Sequence, residues 1–145
     1  MRKSRRVVIT GLGVVAPNGI GKDAFWDALV AGKSGIDYIT AFDATPYPCR
    51  VAGQVTGFRP ADFMTARVAK HAGRFAHLAV AAAKLALEDS KLQLAREVPH
   101  RVLACVGNAM NGSGDVYETA RVGFDRDGVS GIPQLSGVEF AAHAA

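Results

Sequence analysis

An α/β fold with a mostly parallel sheet is what this sequence predicts, on three observations. Its β-prone runs are continuously apolar, as in Val7-Val8-Ile9-Thr10 and Val102-Leu103-Ala104-Cys105-Val106, the pattern of strands covered on both faces. Helical periodicities alternate with these runs, which implies helices layered against a sheet. The 145 residues, 49% hydrophobic and 21% charged, suffice for one domain around one core.

The elements follow in chain order. Arg6 to Thr10 reads as a buried first strand, and Pro17, Asn18, Gly19 and Gly21 stop it in a loop. Lys22 to Ala31 reads as a helix with Phe25, Trp26 and Leu29 on its apolar face, ended by Gly32 and Gly35. Ile36 to Pro48, with Asp43, Pro46 and Pro48, reads as an irregular connection, and Arg50 to Val55 as a strand. Pro60-Ala61-Asp62 fits the first turn of a short helix, where proline is tolerated. The strongest helix signal runs from Gly73 to Asp89, with Phe75, Leu78, Ala82 and Leu85 on one face. Its five alanines, Ala79, Ala81, Ala82, Ala83 and Ala86, suit close packing on more than one side. Arg101 to Val106 reads as a strand emptying into a loop from Gly107 to Gly112. Asp115 to Phe124 reads as helix, Arg126 to Pro133 as loop, and a further helix starts at Val138.

Composition excludes several classes. The net charge of +4 permits an acidic partner without naming one. Zinc-finger spacing, an aromatic ribonucleoprotein motif and a long basic helix are all absent, so nucleic-acid binding is not expected. No apolar run approaches bilayer-spanning length, so no membrane association is expected. Arg2, Lys3, Arg5 and Arg6 precede an apolar run that ends in Pro17-Asn18 with no small-residue cleavage site, which argues against a signal peptide. Two cysteines, Cys49 and Cys105, make neither a disulfide framework nor a metal site, and a reducing cytoplasm is the expected setting.

Gly11, Gly13 and Ala16 fit the G-x-G-x-x-G/A dinucleotide fingerprint after a strand. That site needs a helix starting near the second glycine, so that free N–H groups meet the pyrophosphate. Helix-breaking residues follow instead, and Asp37, the nearest acidic candidate for a ribose, has no clean strand before it. Glycines that turn a loop explain the pattern better, and no cofactor is expected.

The stretch RRVVITGLGVVAPNGIG, Arg5 to Gly21, resembles the opening phrase RVVITGxGxxxPxG of the β-ketoacyl-acyl carrier protein synthases, the condensing enzymes. FWDALVAGKSGI (Phe25 to Ile36), FDATPYPCRVAGQV (Phe42 to Val55), RFAHLAVAAAKLALEDS (Arg74 to Ser90) and RVLACVGNAMNGSG (Arg101 to Gly114) resemble later segments in the same order. The FDxxPY form is similar to fatty-acid and type II polyketide ketosynthases. The resemblance covers essentially the whole chain, yet only about the first third of a full-length family member. It implies the incomplete N-terminal half of a thiolase-like layered αβαβα fold. Residues 1–145 would be the N-terminal part of the synthase N-terminal domain, ending before the nucleophile strand.

The implied reaction is decarboxylative Claisen condensation of acyl and malonyl thioesters, and the implied partner is an acidic acyl carrier protein. A homodimer or heterodimer is implied for the full-length form. The chemistry needs an activated thiolate and donors aimed at oxyanion charge. Neither Cys49 nor Cys105 matches the family's nucleophile, and His71, His77, His100 and His143 match no catalytic position. No catalytic residue is assigned, and the 145-residue chain is not expected to condense anything alone. A non-catalytic subunit that binds carrier protein or dimerises is the alternative. Cys105, inside an apolar run, reads as a small core residue.

Two features align with functional positions of the family. Met110 falls at the floor of the acyl pocket, where a flexible thioether adapts to its contents; Asn108, Ala109 and Asn111 depart there from a glycine-richer loop. Arg67 and Lys70 fall where the carrier protein docks. With His71 and Arg74 they would make one basic face if the stretch is a single helix. Ala72-Gly73 and Lys91 replace the family's usual Met-Asp and helix-stopping glycine. The uncapped apolar run from Phe140 to Ala145 leads to the expectation that the isolated chain is poorly soluble or associates.

Overall fold

The computed structural model describes residues 6–108. Two compact units divide them, one taking Ala81–Leu92 with the chain up to Arg59, the other Pro60–Val80 with the chain from Gln93.

In the first unit, β1 (Val15–Ala16) and β2 (Gly19–Ile20) form a tight antiparallel hairpin around Pro17-Asn18. Helix α1 (Lys22–Val30) starts directly after Gly21, whose φ of 90° only glycine adopts without strain. It ends in a Schellman motif: Lys33 N–H donates to Ala28 O at 2.8 Å and Gly32 N–H to Leu29 O at 3.0 Å, with Gly32 at φ 65°. Gly32 thus ends the helix as its sequence position predicts. Ala28 is its buried residue, whereas Trp26, expected on the apolar face, is 64% exposed.

The stretch after α1 corrects two expectations. Ile36–Tyr38 is a strand, β3, within what reads as an irregular connection, and it pairs with β4 (Val51–Gly53) in an antiparallel register of Asp37 opposite Ala52. Both sheets among the described residues are two-stranded and antiparallel, so the parallel sheet expected from the sequence is not found in them. Three residues carry too little periodicity to announce a strand; a partner more than a dozen residues away decides it. Between them, Asp43 folds an Asx turn by accepting from Thr45 N–H at 3.0 Å, and Phe42 meets Tyr47 edge-on at 5.9 Å. The Thr45 hydroxyl and N–H bonds hold the Asp43 carboxyl below its usual range. Gln54 ties the connection down, its Oε1 accepting from Thr40 and Ala41 N–H and its amide donating to Tyr38 O.

Helix α3 (Arg74–Ser90) is the long alanine-rich helix that the sequence announces. Its buried residues are Ala76 and Ala81, the latter fully buried, while Phe75, Leu78, Ala82 and Leu85 are half-buried. Small side chains let a neighbouring backbone approach. Gly11 and Gly13 do so: a methyl on Gly13 would lie 1.8 Å from Ala82 O, and one on Gly11 2.3 Å from Ala86 O. Asp89 closes this seam, accepting from Leu12 N–H at 2.9 Å and pairing with Lys22 at the start of α1. The helix ends at Lys91, which sits at φ 56° in the left-handed region.

In the second unit, Pro60–Asp62 is a single 3-10 turn that does not continue into a helix, and the short helix α2 (Ala66–His71) starts separately after Thr65. Leu94–Arg96 and Pro99–Arg101 are further 3-10 turns.

Two expected strands are not strands here. Residues 6–10 pair with no strand among the described residues, and Val7 and Ile9 are 92% and 83% exposed. Residues 102–108 lack regular structure and Leu103 is 88% exposed. Apolar β-branched composition specifies a strand only where another chain segment supplies the hydrogen bonds. The expected helices at 115–124 and from 138, and the loop at 126–133, lie outside the described residues.

Candidate functional site

The charged feature singled out in the sequence lies on α2. Thr65 caps this helix, its Oγ1 accepting from Val68 N–H at 3.4 Å, so the turn begins where the sequence places a threonine before Ala66. Arg67 and Lys70 are three residues apart on one side of it, and both are exposed. Among the described residues neither is paired with a carboxylate. His71 is exposed on the same helix.

The condition for one basic face over 67–74, a single helix, is not met. Ala72 turns extended, at φ −102° and ψ 139°, and ends α2, so Arg74 opens α3 instead. Gly73 follows, and its carbonyl accepts the first bond of α3, from His77 N–H at 3.1 Å. The break joins two helices instead of continuing one, so the face carries Arg67, Lys70 and His71 without Arg74.

His77, which the sequence matches to no catalytic position, has a structural use that the sequence reading did not assign. Its Nε2 lies 2.9 Å from the carbonyl oxygen of Ala69, in the last turn of α2. The signal was available: a helix that stops leaves its last carbonyls unsatisfied, and a donor one turn into the next helix can reach them.

The other candidates stand as follows. Met110 lies outside the described residues. Cys49 and Cys105 are both free and exposed, which corrects the reading of Cys105 as a core residue. The Cys49 thiol points to Val51 O at 3.6 Å. Among the described residues no group of three His, Cys, Asp or Glu side chains could hold a metal ion.

The glycines of the fingerprint have a different use from either expectation. The helix after them starts at Lys22, nine residues beyond the second glycine, where a pyrophosphate site needs it. Gly11 and Gly13 face carbonyl oxygens of α3, and the absence of a side chain is what lets the two segments approach. The spacing that would have shown this is the pair of small residues at Ala82 and Ala86, four apart on one helix face.

Electrostatics at the seam concentrate on Asp89. The Lys22 ammonium first, then the Leu12 N–H, hold its carboxyl below the usual aspartate range. The same hydrogen bond raises Lys22 above the usual lysine range. The pair fastens α1 to α3 and is distant in kind from a catalytic acid or base, since both groups stay charged near neutrality.

The profile of the "Beta-ketoacyl synthase, N-terminal domain" matches residues 4–142. The chain is 47% identical over 87 residues to the tetracenomycin polyketide synthase ketoacyl synthase beta subunit of Streptomyces glaucescens, covering 60% of this chain and 21% of that protein. It is 40% identical over 110 residues to 3-oxoacyl-[acyl-carrier-protein] synthase 2 of Coxiella burnetii, covering 76% of this chain and 27% of that one. Among solved structures, the ishigamide ketosynthase/chain length factor superimposes with a TM-score of 0.73 at 28% identity, over 88% of this chain and 32% of that one. The chain therefore spans about a quarter of the length of the curated relatives it matches. The backbone follows a ketosynthase path.

Proposed function

We propose the following role for a chain that belongs to the β-ketoacyl synthase family, matched through its N-terminal domain. It supplies the front of a condensing enzyme that joins acyl and malonyl thioesters by decarboxylative Claisen condensation, in fatty-acid or type II polyketide synthesis. The observation that carries this reading is the family match across residues 4–142. A relative named for an acyl-carrier-protein substrate supports the substrate class.

Within that reading, Arg67 and Lys70 are the carrier-docking pair. They are exposed, share a helix side and are unpaired by carboxylates among the described residues. An acidic carrier would be steered and oriented by them without being bound tightly, because exposed charges act more on encounter than on affinity. Met110 would line the floor of the acyl pocket. The remaining fold is the incomplete N-terminal half of a thiolase-like layered αβαβα arrangement. Dimerisation and a reducing cytoplasm complete the proposal, the latter supported by two free thiols. The thiolate and histidines of the reaction are assigned to no residue of this chain, so the 145 residues alone would condense nothing.

The test is binding of a purified holo acyl carrier protein to the 145-residue chain by calorimetry at low and high salt. Micromolar binding that weakens with salt and is lost on R67E/K70E is expected. Salt-independent binding, or binding untouched by the double reversal, would overturn the docking role. A second reading, a non-catalytic partner subunit, draws on the similarity to a beta subunit and to a ketosynthase/chain length factor. Co-purification of a distinct synthase chain carrying the condensing activity would favour it.

A further inference from the structure

Helix α2 is too short to satisfy its own last carbonyls. The final C=O groups of a helix have no intrahelical partner, and α2 stops because Ala72 turns extended. The Val68 carbonyl is taken by Ala72 N–H at 3.0 Å, but among the described residues no backbone N–H takes that of Ala69. His77 supplies the missing donor from α3, with Nε2 at 2.9 Å in a part-buried setting. A carbonyl only accepts, so Nε2 carries the proton. The contact works as a side-chain cap on the C-terminus of α2, donated across the helix break.

Resting on the docking role above, we propose that His77 is a positioning residue for the carrier protein: it fixes the turn that presents Arg67 and Lys70. Ala69 lies between those two residues, so the carbonyl that His77 holds belongs to the segment that carries both. Thr65 pins the other end of the helix. A six-residue helix is marginal on its own propensity. With both ends tied it becomes a rigid platform, and the carrier does not have to meet the cost of ordering it on binding. Without the donor, a part-buried carbonyl loses its partner and the last turn frays where Lys70 sits. A glutamine at 77 has an amide N–H to offer the same oxygen, whereas alanine or leucine has none.

The experiment compares the 145-residue chain with its His77→Ala, His77→Leu, His77→Gln and R67E/K70E variants. Each is titrated with purified holo acyl carrier protein, and hydrogen exchange is followed at the amides of α2. His77→Ala is expected to weaken binding about three- to ten-fold and to speed exchange at residues 69–72. His77→Gln is expected to return both to within about two-fold of the original. If the alanine variant fails to fold, the leucine variant, which keeps volume without a donor, is expected to show the same loss. Unchanged affinity in the folded alanine or leucine variant, while R67E/K70E loses binding, overturns the positioning role and leaves the docking pair intact. A carrier that ignores R67E/K70E removes the docking role and this inference with it.

Discussion

Along Ala82–Ser90, α3 lies so close to Gly11 and Gly13 that no methyl group fits between them, whereas α2 presents Arg67 and Lys70 outward with no carboxylate paired to either among the described residues. At the seam, glycine lies directly against backbone carbonyls and Asp89 is matched by Lys22 and the Leu12 N–H. On α2, two cations are left over. The difference teaches where each kind of residue acts. Matched backbone contacts are worth stability and are lost on any change of shape, while unmatched surface charge costs little to keep and acts on what approaches.

The contrast breaks most visibly at Gly13. A Gly13→Ala substitution places a methyl against Ala82 O, which is backbone and cannot swing aside. It is expected to cost about 3 kcal/mol, read as a drop in the urea midpoint of the chain. An unchanged midpoint would mean that the seam opens easily, and the comparison would collapse.

R67E/K70E tests the other side. Carrier affinity is expected to fall about ten-fold or more with the unfolding midpoint essentially unmoved, because surface ion positions contribute little to stability. A large loss of stability would place these residues in the fold's own packing.

Lys91 sharpens the comparison at the end of α3. It occupies φ 56°, where a side chain costs ~1–2 kcal/mol that glycine avoids. Lys91→Gly is expected to stabilise the chain by about 0.5–1 kcal/mol, the gain being trimmed by the extra freedom of glycine when unfolded. A loss in the midpoint would show that the lysine side chain contributes more than its backbone strain costs.

The smallest effect is expected from pH. The folded carboxyl of Asp89 is depressed by Lys22 and Leu12 N–H, so its contribution is present above the unfolded value of 3.8 and is lost as pH falls through the lower folded value. Lys22 is raised by the same bond, so its contribution holds below 10.5 and is lost as pH rises through the higher folded value. Asp89→Asn should therefore flatten the acid limb of the stability profile while leaving carrier binding alone. An acid limb that keeps its full slope would assign it to other carboxylates, Asp43 first.

Helices α1 and α3 were legible in the sequence because each carries its own local signal. Gly32 ends α1 in a left-handed turn that no neighbour has to enforce, and the alanine-rich period of Arg74–Ser90 announces α3 from a seventeen-residue window. Arg67 and Lys70 were legible as an exposed pair for the same local reason. Extending their face to Arg74 failed because Ala72-Gly73 breaks the helix, a decision taken by two backbone angles that periodicity does not register.

The family and the helices α1 and α3 are what the sequence determined by itself, since motif order and short-range hydrogen bonding are properties of the chain read in line. Strand pairing and side-chain use were decided only in three dimensions. Val7 and Ile9 are strand-forming in composition yet pair with no described strand; Ile36–Tyr38 looked irregular and pairs with Val51–Gly53. Gly11 and Gly13 proved to be points of close approach to α3, and His77 a cap on α2. A hydrogen bond or a contact between distant residues has two ends, and one end read alone does not say where the other will be.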